Sequence, residues 1–150
     1  YHRHSVRSTL RQLRDTPATE SPKFVFAHLM SPHVPFVFGP EGELVPPRHT
    51  YNYEDPRYYL GQYVYITDQI TKVIETILRE SDTDPIIILQ SDHGPRWVDG
   101  WEKILNAFYL PNGGGEVVQD SISPVDTFRV ILNYYLDVDI EPEAELPANE

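Results

Sequence analysis

Apolar residues recur along this chain in two rhythms, and each rhythm predicts a set of elements. Val6, Leu10 and Leu13 stand at helical spacing within residues 5–14, among Arg7, Arg11 and Arg14, which predicts a short amphipathic helix packed on the domain. Over residues 58–80, Leu60, Val64, Thr67, Ile70, Ile74, Ile77 and Leu78 fall at threes and fours, while Asp68, Gln69, Lys72, Glu75 and Arg79 lie mostly off that stripe. This predicts a long helix with the stripe as its buried face. A third helix is announced by Ser123-Pro124-Val125-Asp126, with Ser at the N-cap, Pro at the first helical position and an acid at the third. Its expected buried face is Val125, Phe128, Ile131, Leu132, Tyr135 and Leu136.

The other rhythm belongs to strands. Residues 23–30 (Lys-Phe-Val-Phe-Ala-His-Leu-Met) are apolar on both faces, with Phe24, Phe26 and His28 on one side and Val25, Ala27 and Leu29 on the other. Ile86, Ile87, Ile88 and Leu89, preceded by Pro85, read as a strand buried on both faces, as inside a parallel sheet. Residues 104–110 read as a third strand. Strand, helix, strand in this order predicts a right-handed parallel βαβ crossover, and hence an α/β fold.

Between these elements lie a polar linker at 15–22, a long irregular segment at 39–56 and a glycine turn at 111–115. The long segment carries four prolines together with Arg48, His49, Tyr51 and Tyr53, and loops of that length inside compact domains tend to be functional. Its tyrosines suit a packed lid or substrate wall. The glycines make no phosphate loop, because no Lys-Ser/Thr follows them. The division expected is a helix and linker at 1–22, a body at 23–136 and a frayed acidic tail at 137–150, with no repeat and no second-domain boundary.

Composition adds exclusions. The chain has 150 residues, 40% hydrophobic and 23% charged, about one domain's length. No apolar run approaches the roughly 20 residues of a membrane span. It starts at Tyr1 rather than Met, which suggests a piece of a longer protein. With no cysteine, thiolate metal sites, disulfides and cysteine nucleophiles are out. The net charge of −11 argues against nucleic acid as a partner, since that requires a basic stripe.

Candidate chemistry gathers where strands end. Ser91-Asp92-His93-Gly94 follows the second strand, and open α/β sheets collect ligands at carboxyl ends of strands. A carboxylate beside an imidazole suits a divalent cation, and Gly94 permits positive φ or a close backbone approach. The same residues are also an ordinary turn. Ser31-Pro32-His33-Val34-Pro35-Phe36 ends the first strand. Its prolines stiffen the loop, a setting that suits His33 to contact a tetrahedral oxyanion and is also that of an ordinary surface histidine in a proline-rich turn. His28 and Arg96 are weaker candidates for the same substrate, His28 because a histidine among phenylalanines is commonly a hydrogen-bonded core residue.

Taken in order, Phe-Val-Phe-Ala-His-Leu-Met-Ser-Pro-His-Val-Pro-Phe at 24–36, the helix containing Asp68, Ile-Ile-Leu-Gln-Ser-Asp-His-Gly at 87–94, a strand ending Tyr-Leu-Pro-Asn and Ser-Pro-Val-Asp-Thr-Phe at 123–128 resemble the sulfatase branch of the alkaline phosphatase superfamily. The resemblance is nearest to bacterial membrane-anchored sulfatase-like proteins, relatives of the phosphoglycerol and phosphoethanolamine transferases, and covers about residues 23–136. It implies a partial three-layer sandwich with a mostly parallel sheet. It implies that Asp92 and His93 ligate a divalent ion (Mn, Zn, Mg or Ca) and that His33 contacts the sulfate or phosphate ester. It also implies an extracytoplasmic, membrane-anchored parent protein. The family's nucleophile and remaining metal ligands come from an earlier half of the domain, and no counterpart is seen here. The expectation is therefore the C-terminal portion of a sulfuric- or phosphoric-ester hydrolase or phosphoryl transferase, binding its ion weakly and inactive alone, with exposed sheet edges that favour self-association. The alternative is a non-catalytic interaction module on the same scaffold. A Rossmann-type nucleotide binder is disfavoured for want of Gly-x-Gly-x-x-Gly.

Overall fold

The computed structural model describes residues 1–95, 97, 99–119 and 121–141. Two compact units make up the chain, Tyr1–Thr83 and Asp84–Glu150, and the change falls at the break after the long helix.

In the first unit, α1 (His2–Asp15) and α2 (Pro56–Glu80) pack on each other. Asp55 caps α2 by accepting the Arg57 N–H, and Pro56 supplies the first helical position. The core is Val6 and Leu10 of α1, Ile66 and Val73 of α2 and Phe38 between them, with Leu13, Ile70 and Ile77 partly buried against it. α1 thus buries the face its spacing predicts. α2 does not: Leu60, Val64 and Leu78 are exposed, and the buried positions are Gly61, Gln62, Ile66 and Val73. The apolar stripe of α2 is wide enough that the partner selects its edge. That partner is α1 together with the chain from Ser31 to Val45.

The chain between the helices is irregular but closely tied. A single bridge joins Phe38 to Leu44, and a 3-10 turn runs over Pro47–His49. Arg3 of α1 donates to the carbonyls of Val37 (2.8 Å) and Gly42 (2.5 Å), and its guanidinium lies 4.5 Å from the centre of the Phe38 ring. Residues 39–56 are therefore held down in part by the arginines of α1 and not by their own tyrosines alone. Tyr51 and Tyr53 stay exposed.

The strand expected at residues 23–30 does not form. These residues take no strand pairing, and Phe24, Val25, Phe26 and Met30 are all exposed. An apolar run suits a segment to a sheet, but only a neighbouring strand satisfies its backbone, and the described residues offer none. The βαβ crossover that depended on it is accordingly not formed.

The second unit holds the one sheet among the described residues, β1 (Ile87–Gln90) against β2 (Asn106–Tyr109). The pairing is antiparallel, Ile87 opposite Tyr109 and Gln90 opposite Asn106. A parallel partner needs a crossover, usually a helix. The described residues between 91 and 105 contain none, and the chain returns directly, tied by Ser91 N–H to Leu105 O (2.9 Å) and Leu105 N–H to Ser91 Oγ (2.9 Å). β1 is half-buried along its length rather than enclosed on both faces. Helices with a small sheet make this a mixed α/β chain.

α3 (Pro124–Leu136) begins as its sequence predicts, with Ser123 Oγ accepting the Asp126 N–H at 3.0 Å. Its buried positions are Thr127 and Ile131, while Val125, Phe128 and Leu136 of the expected face are exposed. Thr127 Oγ1 accepts from Gln90 Nε2 at 3.2 Å, tying α3 to β1. The glycine turn is as expected: Gly113 has φ +85°, and the hydroxyls of Tyr134 and Tyr135 close on the carbonyls of Asn112 and Pro111. The chain just after α3 is pinned rather than frayed, since Asn133 both donates to and accepts from the backbone of Ile140. Residues 142–150 of the expected tail lie outside the described residues. Among the described residues no helix is long and apolar enough to cross a membrane.

Candidate functional site

The expected site residues divide between the two units, His28 and His33 in Tyr1–Thr83 and Asp92 and His93 in Asp84–Glu150. Each pair has its own local geometry.

His33 projects from a tight loop. Its N–H donates to Met30 O (2.8 Å), and the Phe36 N–H donates to Thr50 O (2.7 Å). Phe36 is buried and meets Tyr53 and Tyr59 edge-on, centroids 6.0 and 6.4 Å apart. The His33 ring itself is exposed. Its Nδ1 lies 2.9 Å from Val34 O. A carbonyl only accepts, so Nδ1 carries the hydrogen and Nε2 is left for an outside partner.

Beneath the loop sits a residue that the sequence reading passed over. Gln62 of α2 is completely buried. Its Nε2 is 3.2, 2.9 and 3.4 Å from the carbonyls of Pro32, His33 and Pro35. Its Oε1 accepts the N–H groups of Val37 (2.7 Å) and Phe38 (3.2 Å). The available signal was spacing: Gln62 stands four before Ile66 and eleven before Val73, on the line of α2 that is buried.

His28 is exposed and shares a hollow of about 50 Å³ with His2, Ser5 and Thr9 of α1. His2 was not singled out by sequence either. Its Nε2 lies 3.4 Å from the hydroxyl of buried Ser31. Burial holds its pKa below the ordinary 6.5, aided by the neighbouring α-amino group and by His33. An unfolded chain therefore takes up this proton at a higher pH than the folded one does. Below pH 6.5 the first unit is expected to lose stability until the lower folded value is passed. A His2→Gln variant should lack that component, read as the difference in melting temperature from the parent between pH 7 and pH 5.

In the second unit, Asp92 and His93 occupy the loop after β1. Asp92 Oδ1 accepts the His93 N–H at 3.0 Å, and its side chain is otherwise open to solvent at 90% exposure. His93 Nδ1 is 2.6 Å from Gly94 O, so again Nδ1 carries the hydrogen. Its Nε2 lies 3.7 Å from Asp92 Oδ2. The ring is 30% exposed and meets Trp101 edge-on at 6.3 Å. Gly94 has no positive φ. Glycine is needed there for space, because a Cβ would lie 3.0 Å from Trp101 O and 3.1 Å from Lys103 O.

The donor set fits a divalent cation. Two bonds of about 2.1 Å span up to roughly 4.2 Å, so Asp92 Oδ2 and His93 Nε2 at 3.7 Å are within reach of one ion. Fixing Nδ1–H on a backbone carbonyl is the usual way a ligating imidazole is oriented. Among the described residues no group of three or more His, Asp or Glu side chains is gathered that would complete such a site. Arg96 lies outside the described residues.

A family model, Sulfatase, matches residues 2–120. The chain belongs to the sulfatase family. The match takes in α1, ahead of the landmarks from residue 23 onward, and stops short of α3. Neither the curated proteins nor the solved structures include a match to it.

Proposed function

We propose that this chain carries part of the site of a metal-dependent sulfuric- or phosphoric-ester hydrolase or phosphoryl transferase. Asp92 and His93 contribute two ligands of a divalent cation, and His33 contacts the ester's oxyanion. Membership of the sulfatase family supports the substrate class. The observation that carries the assignment is the shared setting of the two imidazoles: each commits Nδ1–H to the carbonyl of the next residue and leaves Nε2 available.

A bound divalent ion would neutralise charge developing on the ester oxygens. His93 and Asp92 hold the ligand atoms in place, His93 through Gly94 O and Asp92 through the His93 N–H. Protonated, His33 donates Nε2–H to a non-bridging oxygen of the ester, and it can pass that proton to a departing alkoxide. Two protein ligands fall short of the three or four such sites use. The remaining ligands and the nucleophile are proposed to come from elsewhere in an extracytoplasmic, membrane-anchored parent protein. There β1 would join a larger, mostly parallel sheet.

Expected of the purified chain are weak Mn²⁺ or Zn²⁺ binding and no turnover of nitrophenyl sulfate or nitrophenyl phosphate. Metal-dependent turnover that Asp92→Ala abolishes would overturn the view that the set is incomplete. Absence of any metal response favours the non-catalytic interaction module.

A further inference from the structure

We propose that Gln62 is the positioning residue of the oxyanion-contacting loop: reaching up from α2, its carboxamide holds the backbone on both sides of His33 and so fixes where that imidazole stands. The proposal deepens the reading of His33 as a substrate contact and rests on it.

The need for such a residue follows from the loop's composition. Pro32 and Pro35 have no N–H, so the loop presents more carbonyls than its own donors can serve. Carbonyls turned toward a helix and away from water require a donor there. A primary amide offers two N–H hydrogens and two lone pairs. The hydrogens of Gln62 serve the carbonyls of Pro32, His33 and Pro35, one of them shared. The lone pairs take the N–H groups of Val37 and Phe38. The reverse amide orientation would set an oxygen against three carbonyls and an NH₂ against two N–H groups, so the assignment is determined by the network. The side chain is wholly buried, which removes water as a substitute. α2 approaches closely at this point: a Cβ on Gly61 would lie 3.0 Å from Pro40 Cδ. The loop is therefore fastened to the helix from its prolines through Phe38, while the His33 ring stays outside.

No single apolar side chain reproduces this pattern, and a carboxylic acid approximates it only while it keeps its proton. Protonated Glu at this position offers one O–H donor and an accepting oxygen; ionised, it faces three carbonyls with no hydrogen at all. Such a buried carboxyl has a raised pKa, so its match to the loop holds at low pH and fails as pH rises.

The test uses the ¹⁵N-labelled chain in three variants, Gln62→Glu, Gln62→Leu and His33→Ala, with inorganic sulfate as the probe. Amide exchange at Val37 and Phe38 and the sulfate-induced shift of the backbone amide of residue 33 are each expressed relative to the parent at the same pH. Gln62→Glu is expected to stand closest to the parent at low pH. Above the pKa of its carboxyl, exchange at both amides accelerates by up to about tenfold per pH unit and the sulfate response of His33 weakens in step. Gln62→Leu is expected to show at least about tenfold faster exchange at all pH values, and if it does not fold, the pH series of Gln62→Glu decides alone. Gln62→Glu tracking the parent across the range overturns the proposal. Loss of the sulfate response in His33→Ala combined with a normal response in both Gln62 variants also overturns it, while upholding the substrate contact. A sulfate response that survives His33→Ala refutes the substrate contact instead. In that case amide exchange judges the positioning: a pH-dependent change supports it and an unchanged rate refutes it.

Discussion

Replacing Phe38 with alanine is expected to destabilise the unit Tyr1–Thr83 by about 3–5 kcal/mol, the range for emptying a buried phenylalanine site. Phe38 is fully buried and belongs to the cluster of Val6, Leu10, Ile66 and Val73. Its ring stacks on Tyr65 at 4.5 Å, and Arg3 and Arg7 lie 4.5 and 5.6 Å from its centre. Truncation leaves two guanidinium groups and a tyrosine facing a void that the flanking helices cannot close, because Arg3 is tied to the backbone at Val37 and Gly42. Phe38→Leu should recover most of the loss, since it keeps the apolar volume and gives up only the ring contacts. Phe24 provides the contrast within the same unit. It is 78% exposed, and Phe24→Ser should shift stability by less than about 0.5 kcal/mol. Urea titration followed by far-UV circular dichroism reports mainly on α1 and α2, whereas Trp97 and Trp101 belong to the other unit. Equal midpoints for Phe38→Ala and Phe24→Ser would show that the core is not where the structure places it.

That contrast marks how far the sequence could be read. Helices were legible because their period is local: Val6 and Leu10 recur on one face whatever surrounds them, and the Ser123–Asp126 cap is complete within four residues. What lies against a helix is not local. The stripe through Leu60 and Val64 has a valid helical period, yet the partner covers the adjoining line through Gln62, Ile66 and Val73. A fully buried glutamine contradicts ordinary hydropathy, and only the donor deficit of a two-proline loop explains it. Strand pairing is less local still. Residues 23–30 are apolar on both faces, but nothing in their own sequence supplies a neighbour. Nothing in 86–89 states that the chain will return directly through Ser91 and Leu105. Asp92 and His93 were legible because two adjacent residues need no fold to bring them together. Gly94 was legible as a requirement for glycine, though its purpose is room for two carbonyls and not a left-handed backbone.

Removal of either half of the aspartate–histidine pair is expected to weaken divalent-cation binding at least about 10- to 100-fold, since loss of even an orienting partner of a ligand costs that much. The two positions should differ in kind. His93→Ala deletes Nε2, the nitrogen left available once Nδ1 is bound to Gly94 O, and should discriminate most strongly against Zn²⁺, which favours imidazole over water. Asp92→Asn keeps an oxygen able to accept the His93 N–H but removes the negative charge of the carboxylate 3.7 Å from that nitrogen. It should weaken Mn²⁺ and Mg²⁺, which depend on hard anionic oxygen, relatively more than Zn²⁺. Isothermal titration with each metal against the parent and both variants separates these effects. Affinities for all three metals that neither variant changes would place the cation elsewhere and remove the metal-centred part of the functional reading, leaving family membership and the His33 loop as its only supports.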